Sequence, residues 1–589
     1  MRSDWAPIKV RHLFARGSVA HVIEPTARTT SVWLVEIQRW TLRVGLFVLP
    51  LAYSWNAYDA WVLPKLLVGR LVVIALVGIL VLRAVRQPAL VLKRSPLDLP
   101  WIAFLVSASL STAVATSVNV AVFGTYARYD GLLTLLTYAA LFWLAIQTLD
   151  GPEDARALLR ILLAAAYGVA VVAILMDINS GAALGIAAHA SGTLGHWNVL
   201  GAFLALAWPL ALWEVAAAKS GYARALAINA AAVIGLGLVL TFSRSAWLGA
   251  LVGTAAFLAG IREWSARRLV LAVAVPVLAS GLLVAGLAAA GGSQLEQAVS
   301  NRAQTMLHPG EWGPRLLIWH ESLKVIASRP ILGYGPDNFG LVFPRYNTLY
   351  YSELIDKAHA ETLQVAATQG LVGLAAYAWL LAAMAGAFWR GRRLPGAYAV
   401  LGACLAYEAT LQVNFTALGA ALPFWIVAAA AMHLWGVVSP ARPLQLTRPV
   451  RIALRTSFAG LAALTLAGVV LPYIADASLQ TAVLADRLGS RTDAMAAARE
   501  SRLLAPHESV YAVEVGNIAF EGSDWAGARD AYSVAAKLGT YNPLVYRNLA
   551  IADQNLGLMA EAREAALASY QLNPSDPASQ ALLAQFPPR

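Results

Sequence analysis

Charge is scarce in this chain and cysteine is almost absent. Of 589 residues only 13% are Asp, Glu, Lys or Arg, against roughly 25% in an ordinary soluble domain. Hydrophobic residues make up 59%, and mean hydropathy is +0.60. Those proportions exclude a multidomain soluble protein and describe a polytopic membrane protein. The one cysteine, Cys404, lies in an apolar segment, so no internal disulfide and no thiol-rich metal site can form. The C-x-x-C, H-E-x-x-H and Walker patterns are missing, as is a G-x-G-x-x-G at a strand–helix junction. No cofactor and no metal are therefore expected. A net charge of +11 reads as basic cytoplasmic loops, not as a nucleic-acid surface. The first forty residues are basic but lack a short apolar core with a small-residue cleavage site. They are expected to form a cytoplasmic tail, not a signal peptide.

About twenty apolar residues cross a bilayer as a helix. Runs of that kind occur thirteen times, near 41–56, 66–84, 97–116, 131–149, 158–177, 198–217, 225–242, 246–261, 269–290, 364–389, 396–415, 418–437 and 456–474. The expected fold is all-α. Lys and Arg set the orientation. With the N-terminus in the cytoplasm, the inside loops hold Arg83, Arg86, Lys93 and Arg94; Lys219 and Arg224; Arg262, Arg267 and Arg268; Arg390, Arg392 and Arg393; and Arg442, Arg448, Arg451 and Arg455. The short outside loops hold little besides Lys65, Arg128 and Arg244. The organisation expected is a tail over 1–40, a membrane domain over 41–437 with a long extracytoplasmic loop at 291–363, a basic linker and last span over 438–475, and an extracytoplasmic helical domain over 476–589.

That last segment changes character, with thirteen acidic and nine basic residues from Asp476 onward. "VGNIAFEGSDWAGARDAYSVAAKLGTYNP" is echoed by "LAIADQNLGLMAEAREAALASYQLNP". Gly516, Ala528, Tyr532 and Ala535 align with Ala550, Ala562, Ala566 and Ser569, and each series closes on Asn-Pro. Small residues let paired helices approach closely. The pattern resembles the tetratricopeptide repeat, with an earlier, degenerate unit near 478–507. Such a tail is either a protein-binding arm or a spacer.

Polar residues gather at the outer mouths of the spans. "FGTYARYDGLLT" sets Arg128 before the fourth, "SGTLGHWNVLGAFLALAWPL" puts His196 and Asn198 at the sixth, and "LTFSRSAWLGALVG" places Arg244 between the seventh and eighth. In the long loop, Arg315, Ile318, Ser322 and Ile326 have helical spacing, and Pro330, Gly333, Gly335 and Pro336 end that helix. "IDKAHAETLQVAATQGLVGL" then brings Lys357, His359 and Glu361 to the lip of an apolar helix. Singly, each has a plain structural reading: arginines snorkel to lipid phosphates, histidines pack, and Lys–Glu pairs decorate helix surfaces. Together, arginines at glycine- and aromatic-flanked mouths describe an anion pocket beside the membrane, because the guanidinium fork suits phosphate.

"SGTLGHWNVLGAFLALAWPL", "TFSRSAWLGALVG", "RLLIWHESLKVIASRPILGYGPDNF" and "KAHAETLQVAATQGLVGL" occur in that order, with the long outer loop between the last two. Together they resemble the O-antigen ligase/polymerase superfamily of membrane glycosyltransferases, which includes protein O-oligosaccharyltransferases. The resemblance implies a GT-C-like enzyme of the bacterial cytoplasmic membrane, in contact with membrane lipids. It implies a polyprenyl-pyrophosphate-linked glycan as donor, and a glycan, lipid or protein hydroxyl as acceptor. It implies Arg244 and Arg315 on the donor pyrophosphate, and the arginine chemistry at the span mouths adds Arg128 to them as a candidate. His359 would be the catalytic base of an inverting, metal-independent transfer, with Lys357, Glu361, His196 and Asn198 as supporting candidates. The chain departs from the usual pattern at Ala360, at Leu374 and in "GHWN", so ligase, polymerase and protein transferase stay open. A transporter is the alternative of another class. It calls for paired internal repeats and mid-membrane charges, and neither is evident.

Overall fold

The computed structural model describes residues 25–87, 89–179, 190–260, 267, 270–291, 304, 309–347 and 354–586. Most of the N-terminal tail, Arg262 and Arg268, and parts of the 291–363 loop lie outside them. The described chain is all-α, as its apolar runs predict. In order, α1 is Pro25–Leu51, α2 Leu63–Arg86, α3 Asp98–Ala113, α4 Val118–Phe123, α5 Leu132–Thr148, α6 Pro152–Asn179 and α7 Trp197–Ala217. Then follow α8 Gly221–Leu240, α9 Arg244–Ala259, α10 Val275–Gly291, α11 Pro309–Ser328, α12 Glu361–Gly391, α13 Ala397–Leu411, α14 Leu418–Leu434 and α15 Arg448–Arg487. The tail adds α16 Arg491–Leu504, α17 Ser509–Glu521, α18 Trp525–Leu538, α19 Pro543–Asn555, α20 Met559–Leu572 and α21 Pro577–Leu583.

A helix lies over each of the thirteen expected spans, but they are not equal. Among the described residues, seven helices are long and apolar enough to cross a membrane, and five more apolar helices are shorter. The first helix starts at Pro25, well before the expected 41, and stops at Leu51. Its middle carries Glu36, Arg39 and Arg43, which lower the local hydropathy. The structure satisfies them by pairing Arg39 and Arg43 with Asp154 of α6 at 3.0 and 2.6 Å.

Two helices form the centre of the membrane part. In α14 all but Trp425 are buried, and in α7 every residue from Leu200 to Trp213 is, which is what a helix apolar on all sides requires. Helices α9 and α13 touch backbone to backbone. A Cβ on Gly249 would fall 2.3 Å from the Ala406 carbonyl oxygen, and one on Gly253 would fall 2.6 Å from that of Gly402. This is the small-residue spacing by which helices pack in lipid, where no hydrophobic force pulls them together. At the basic end of the bundle, two short antiparallel pairings join the α2–α3 loop to the α14–α15 loop: Ala89 with Gln445, and Lys93 with Pro440.

Helix α15 runs forty residues, mostly exposed, then enters the tail. There the end of α15 packs on α16, α17 on α18, and α19 on α20. The aligned small residues form the seams. Tyr532 lies so close to Gly516 that a Cβ there would meet its ring at 2.6 Å, and Ala528, Ala535, Ala550, Ala562, Ala566 and Ser569 are buried.

Candidate active site

The site begins with a broken helix. Apolar periodicity predicts an unbroken run, but α12 is interrupted at Gly370, where φ is +67° and ψ −170°. Breaking a helix at membrane depth frees backbone groups that lipid cannot satisfy. Here the 330–335 loop takes them up. Tyr334 and Gly335 amides donate to the Ala367 and Thr368 carbonyls at 3.1 and 2.8 Å, while Leu371 and Val372 amides donate to the Pro330 and Ile331 carbonyls at 2.7 and 3.3 Å. The Ser111 hydroxyl adds a bond to the Thr368 carbonyl at 2.6 Å. The first part of α12 is thus clamped at a fixed angle, and its N-terminus carries His359.

His359 sits at φ +51°, a left-handed conformation costly for a side chain other than glycine. Its neighbours hold it there. The Ala358 amide donates to the Gln364 side chain at 2.8 Å, a reach-back of the capping-box kind. The Trp319 indole donates to the His359 carbonyl at 3.3 Å. The ring meets Phe415 edge-on at 5.3 Å, and its Nδ1 is buried with no hydrogen-bond partner. Burial, then the positive charge of Arg315, pushes the imidazole down to about 4. At neutral pH it is therefore uncharged and able to take a proton.

Cations flank this ring. Arg315 lies on α11, whose Ile318 and Val325 join the apolar cluster under the start of α12, as the spacing of 315, 318, 322 and 326 predicts. Arg128 stacks over Phe415 at 4.9 Å and pairs through Nε with Asp356 at 2.7 Å. Asp356 thus offsets part of its charge. His196 is close enough that a charge on it would bear on His359. Its ring stacks on Trp197 at 4.1 Å, and its Nδ1 accepts from the Asn198 amide at 3.1 Å, capping α7. The Asn198 side-chain oxygen accepts from the Ser243 hydroxyl at 2.6 Å. Ser243 caps α9, and the buried Arg244 is the first residue of that helix. His359, Arg315, Arg128 and His196 are thus brought together, and the Asn198–Ser243 bond ties the Arg244 turn to the same group.

Lys357 and Glu361 turn elsewhere. Lys357 is 3% exposed and bridges Asp130 and Asp337 at 2.7 Å each. Burial works against its charge, but the two carboxylates outweigh burial and hold the ammonium above its usual range. Asp337, at φ +56°, also accepts from the Thr125 amide at 2.6 Å and hydroxyl at 2.9 Å. Glu361 accepts from the Thr416 amide at 2.9 Å. It does not reach the imidazole. These two residues brace the loops on either side of His359. Among the described residues no three His, Cys, Asp or Glu side chains gather as a metal site. Sequence reading overlooked Asp356, Phe415, Trp319, Asp130 and Asp337. Of these only Asp130 and Asp337 gave a signal, each beside a glycine or proline turn in "YDG" and "GPDNFG".

No curated protein matches the chain. Residues 229–378 match the family model described as O-antigen ligase, Wzy_C. That stretch holds Arg244, Arg315, His359 and the Gly370 break, and leaves out Arg128, His196, Asn198 and the tail. The all-α, multi-pass chain thus carries at its centre a stretch similar to the O-antigen ligase family.

Proposed function

We propose that the chain transfers a glycan from a polyprenyl pyrophosphate to an acceptor hydroxyl at the outer face of the cytoplasmic membrane. The observation that carries this reading is the His359 imidazole: uncharged, with a buried Nδ1 that has no partner, and flanked by arginines. A neutral imidazole held within reach of an acceptor can act as a general base. His359 takes the proton as the acceptor oxygen bonds to the anomeric carbon. The bond from that carbon to the pyrophosphate oxygen breaks, and its electron pair leaves with the lipid pyrophosphate. One displacement inverts the anomeric configuration.

Charge developing on the leaving group is the main barrier, and preorganised cations lower it. Arg244 and Arg315 are assigned to the pyrophosphate. Arg128, already engaged by Asp356, contributes less charge and more shape. A bound pyrophosphate would also offset the cations that hold the imidazole low, making His359 a stronger base once the donor is seated. Lys357 and Glu361 act by fixing the His359 turn, and His196 and Asn198 by joining it to the Arg244 turn. The sparse positive charge at the His359 end of the helices, against the basic opposite end, supports an outward-facing site.

The test is transfer by purified protein in nanodiscs, in EDTA, from polyprenyl-pyrophosphate glycan to lipid, protein and glycan-lipid acceptors offered separately. A product of inverted configuration with one acceptor class, reduced about 100-fold or more in Arg244→Ala, is expected. Retained configuration would refute the single displacement.

A further inference from the structure

A cavity of about 320 Å³ lies where the tail meets the membrane part. Its floor is the α4 segment, with Asn119, Thr125 and Tyr126. Its roof is the start of α17, with Ser509 and Val513, and the Leu538–Asn542 turn between α18 and α19. The walls are fixed to one another. The Asn119 side-chain amide donates to the His507 and Leu538 carbonyls at 2.8 and 3.2 Å, and the Ser117 hydroxyl to the Leu538 carbonyl at 3.1 Å. Phe123 stacks on His507 at 4.1 Å. The Tyr126 hydroxyl donates to Asp476 at 2.5 Å, at the head of the tail.

One end of the cavity approaches the site. Tyr541 lies against Gly340, where an added Cβ would fall 3.4 Å from its ring and 3.2 Å from Asp356. Burial and the Asp356 carboxylate both raise the Tyr541 phenol. Asp356 holds Arg128, Arg128 covers Phe415, and His359 packs on Phe415. Among the described residues no Lys or Arg lines the cavity. It is therefore unsuited to a pyrophosphate. It offers tyrosine rings, amides, hydroxyls and one carboxyl, that of Glu508, which burial and Asp476 raise to about 8. Aromatic faces edged by neutral donors and acceptors suit a polyhydroxylated ring. The volume is at the small end for ligand pockets, room for roughly one or two sugar rings.

Building on the proposed transfer, we infer that this cavity seats the sugar end of a glycan acceptor and presents its next hydroxyl to His359. The tail is then one wall of the acceptor site. A peptide acceptor is the competing occupant.

The test uses the full chain in nanodiscs, with Val513→Trp and, separately, Ser509→Leu, both of which fill the cavity from α17 without touching the bonds that hold the tail. The probes are the oligosaccharide freed from the donor lipid by mild acid, and a Ser/Thr-rich peptide. Binding is followed by saturation-transfer NMR, and acceptor KM and donor hydrolysis by product release. The expected result is oligosaccharide binding to wild type, weakened about tenfold or more by either substitution, with an equal rise in acceptor KM and unchanged donor hydrolysis. Unchanged donor hydrolysis also shows that the variants fold. Equal oligosaccharide binding by wild type and both variants would overturn the inference. So would peptide displaced by the filling in place of oligosaccharide, or a parallel fall in donor hydrolysis. Absence of donor turnover in wild type would instead remove the transfer reading, and the binding comparison would still decide the cavity's occupant.

Discussion

Replacing Gly370 by alanine should damage the site. At φ +67° and ψ −170° the backbone is in a region that only glycine occupies readily, and an L-residue there costs about 1–3 kcal/mol. The added Cβ would also lie 2.1 Å from the Ile331 carbonyl oxygen, far inside contact, so the 330–335 loop must withdraw. The two bonds nearest the clash, from Leu371 to Pro330 and from Val372 to Ile331, are worth about 1 kcal/mol each. The combined loss is about 3–5 kcal/mol. The kinetic effect should be larger than the loss of stability implies, because the same clamp aims His359, and an error of about 1 Å in a reacting group can cost 100-fold. Thermal unfolding in nanodiscs, followed by tryptophan fluorescence, and glycan transfer measured on the surviving folded fraction separate the two. Wild-type melting and wild-type transfer in Gly370→Ala would refute the view that the break is built and supported by the 330–335 loop.

Three further outcomes follow from particular contacts. Lys357→Met leaves the Asp130 and Asp337 carboxylates buried without their cation, and should destabilise by about 3–5 kcal/mol. Adding Asp130→Asn and Asp337→Asn should recover much of that in thermal melting, and no recovery would mean Lys357 acts otherwise. In the free enzyme His359 protonates near 4, so kcat/KM should hold down to acid pH and fall as pH drops through that value. Arg315→Gln removes a charge that disfavours the imidazolium and should move this limb upward. A limb near the ordinary histidine value in both proteins would contradict the assignment. Asn119→Ala removes the amide that grips His507 and Leu538, and should loosen the tail by about 1–3 kcal/mol, seen as faster proteolysis at the exposed Leu488–Gly489 turn. An unchanged cleavage rate would show that Asn119 does not hold the tail.

Features set by local composition could be read from the chain before its structure. Apolar runs located the helices. Small residues such as Gly516 and Ala562 marked the tail seams, and spacing from Arg315 to Ile326 gave the helix beneath His359. What escaped was set by partners far away in sequence. Nothing near Lys357 announces Asp130, and nothing near Glu361 announces the Thr416 amide. The Gly370 break hides in an apolar run because the groups that satisfy it come from the 330–335 loop. The start of helix α1 is hidden because Glu36 and Arg39 lower the local hydropathy until Asp154 is known to meet Arg39. The convergence of His359 with Arg315 was legible only through motif order, and that of Arg128 only through its place at a span mouth, while Asp356 and Phe415, which hold Arg128 there, carried no sequence signal.

The most direct test of the central claim is release of polyprenyl pyrophosphate in the presence of acceptor, at pH 7 in EDTA, by wild type and His359→Ala. The account predicts release matched mole for mole by new glycosidic bonds in wild type, and lower by about 100-fold or more in the variant. Equal release and equal bond formation in both proteins would contradict it.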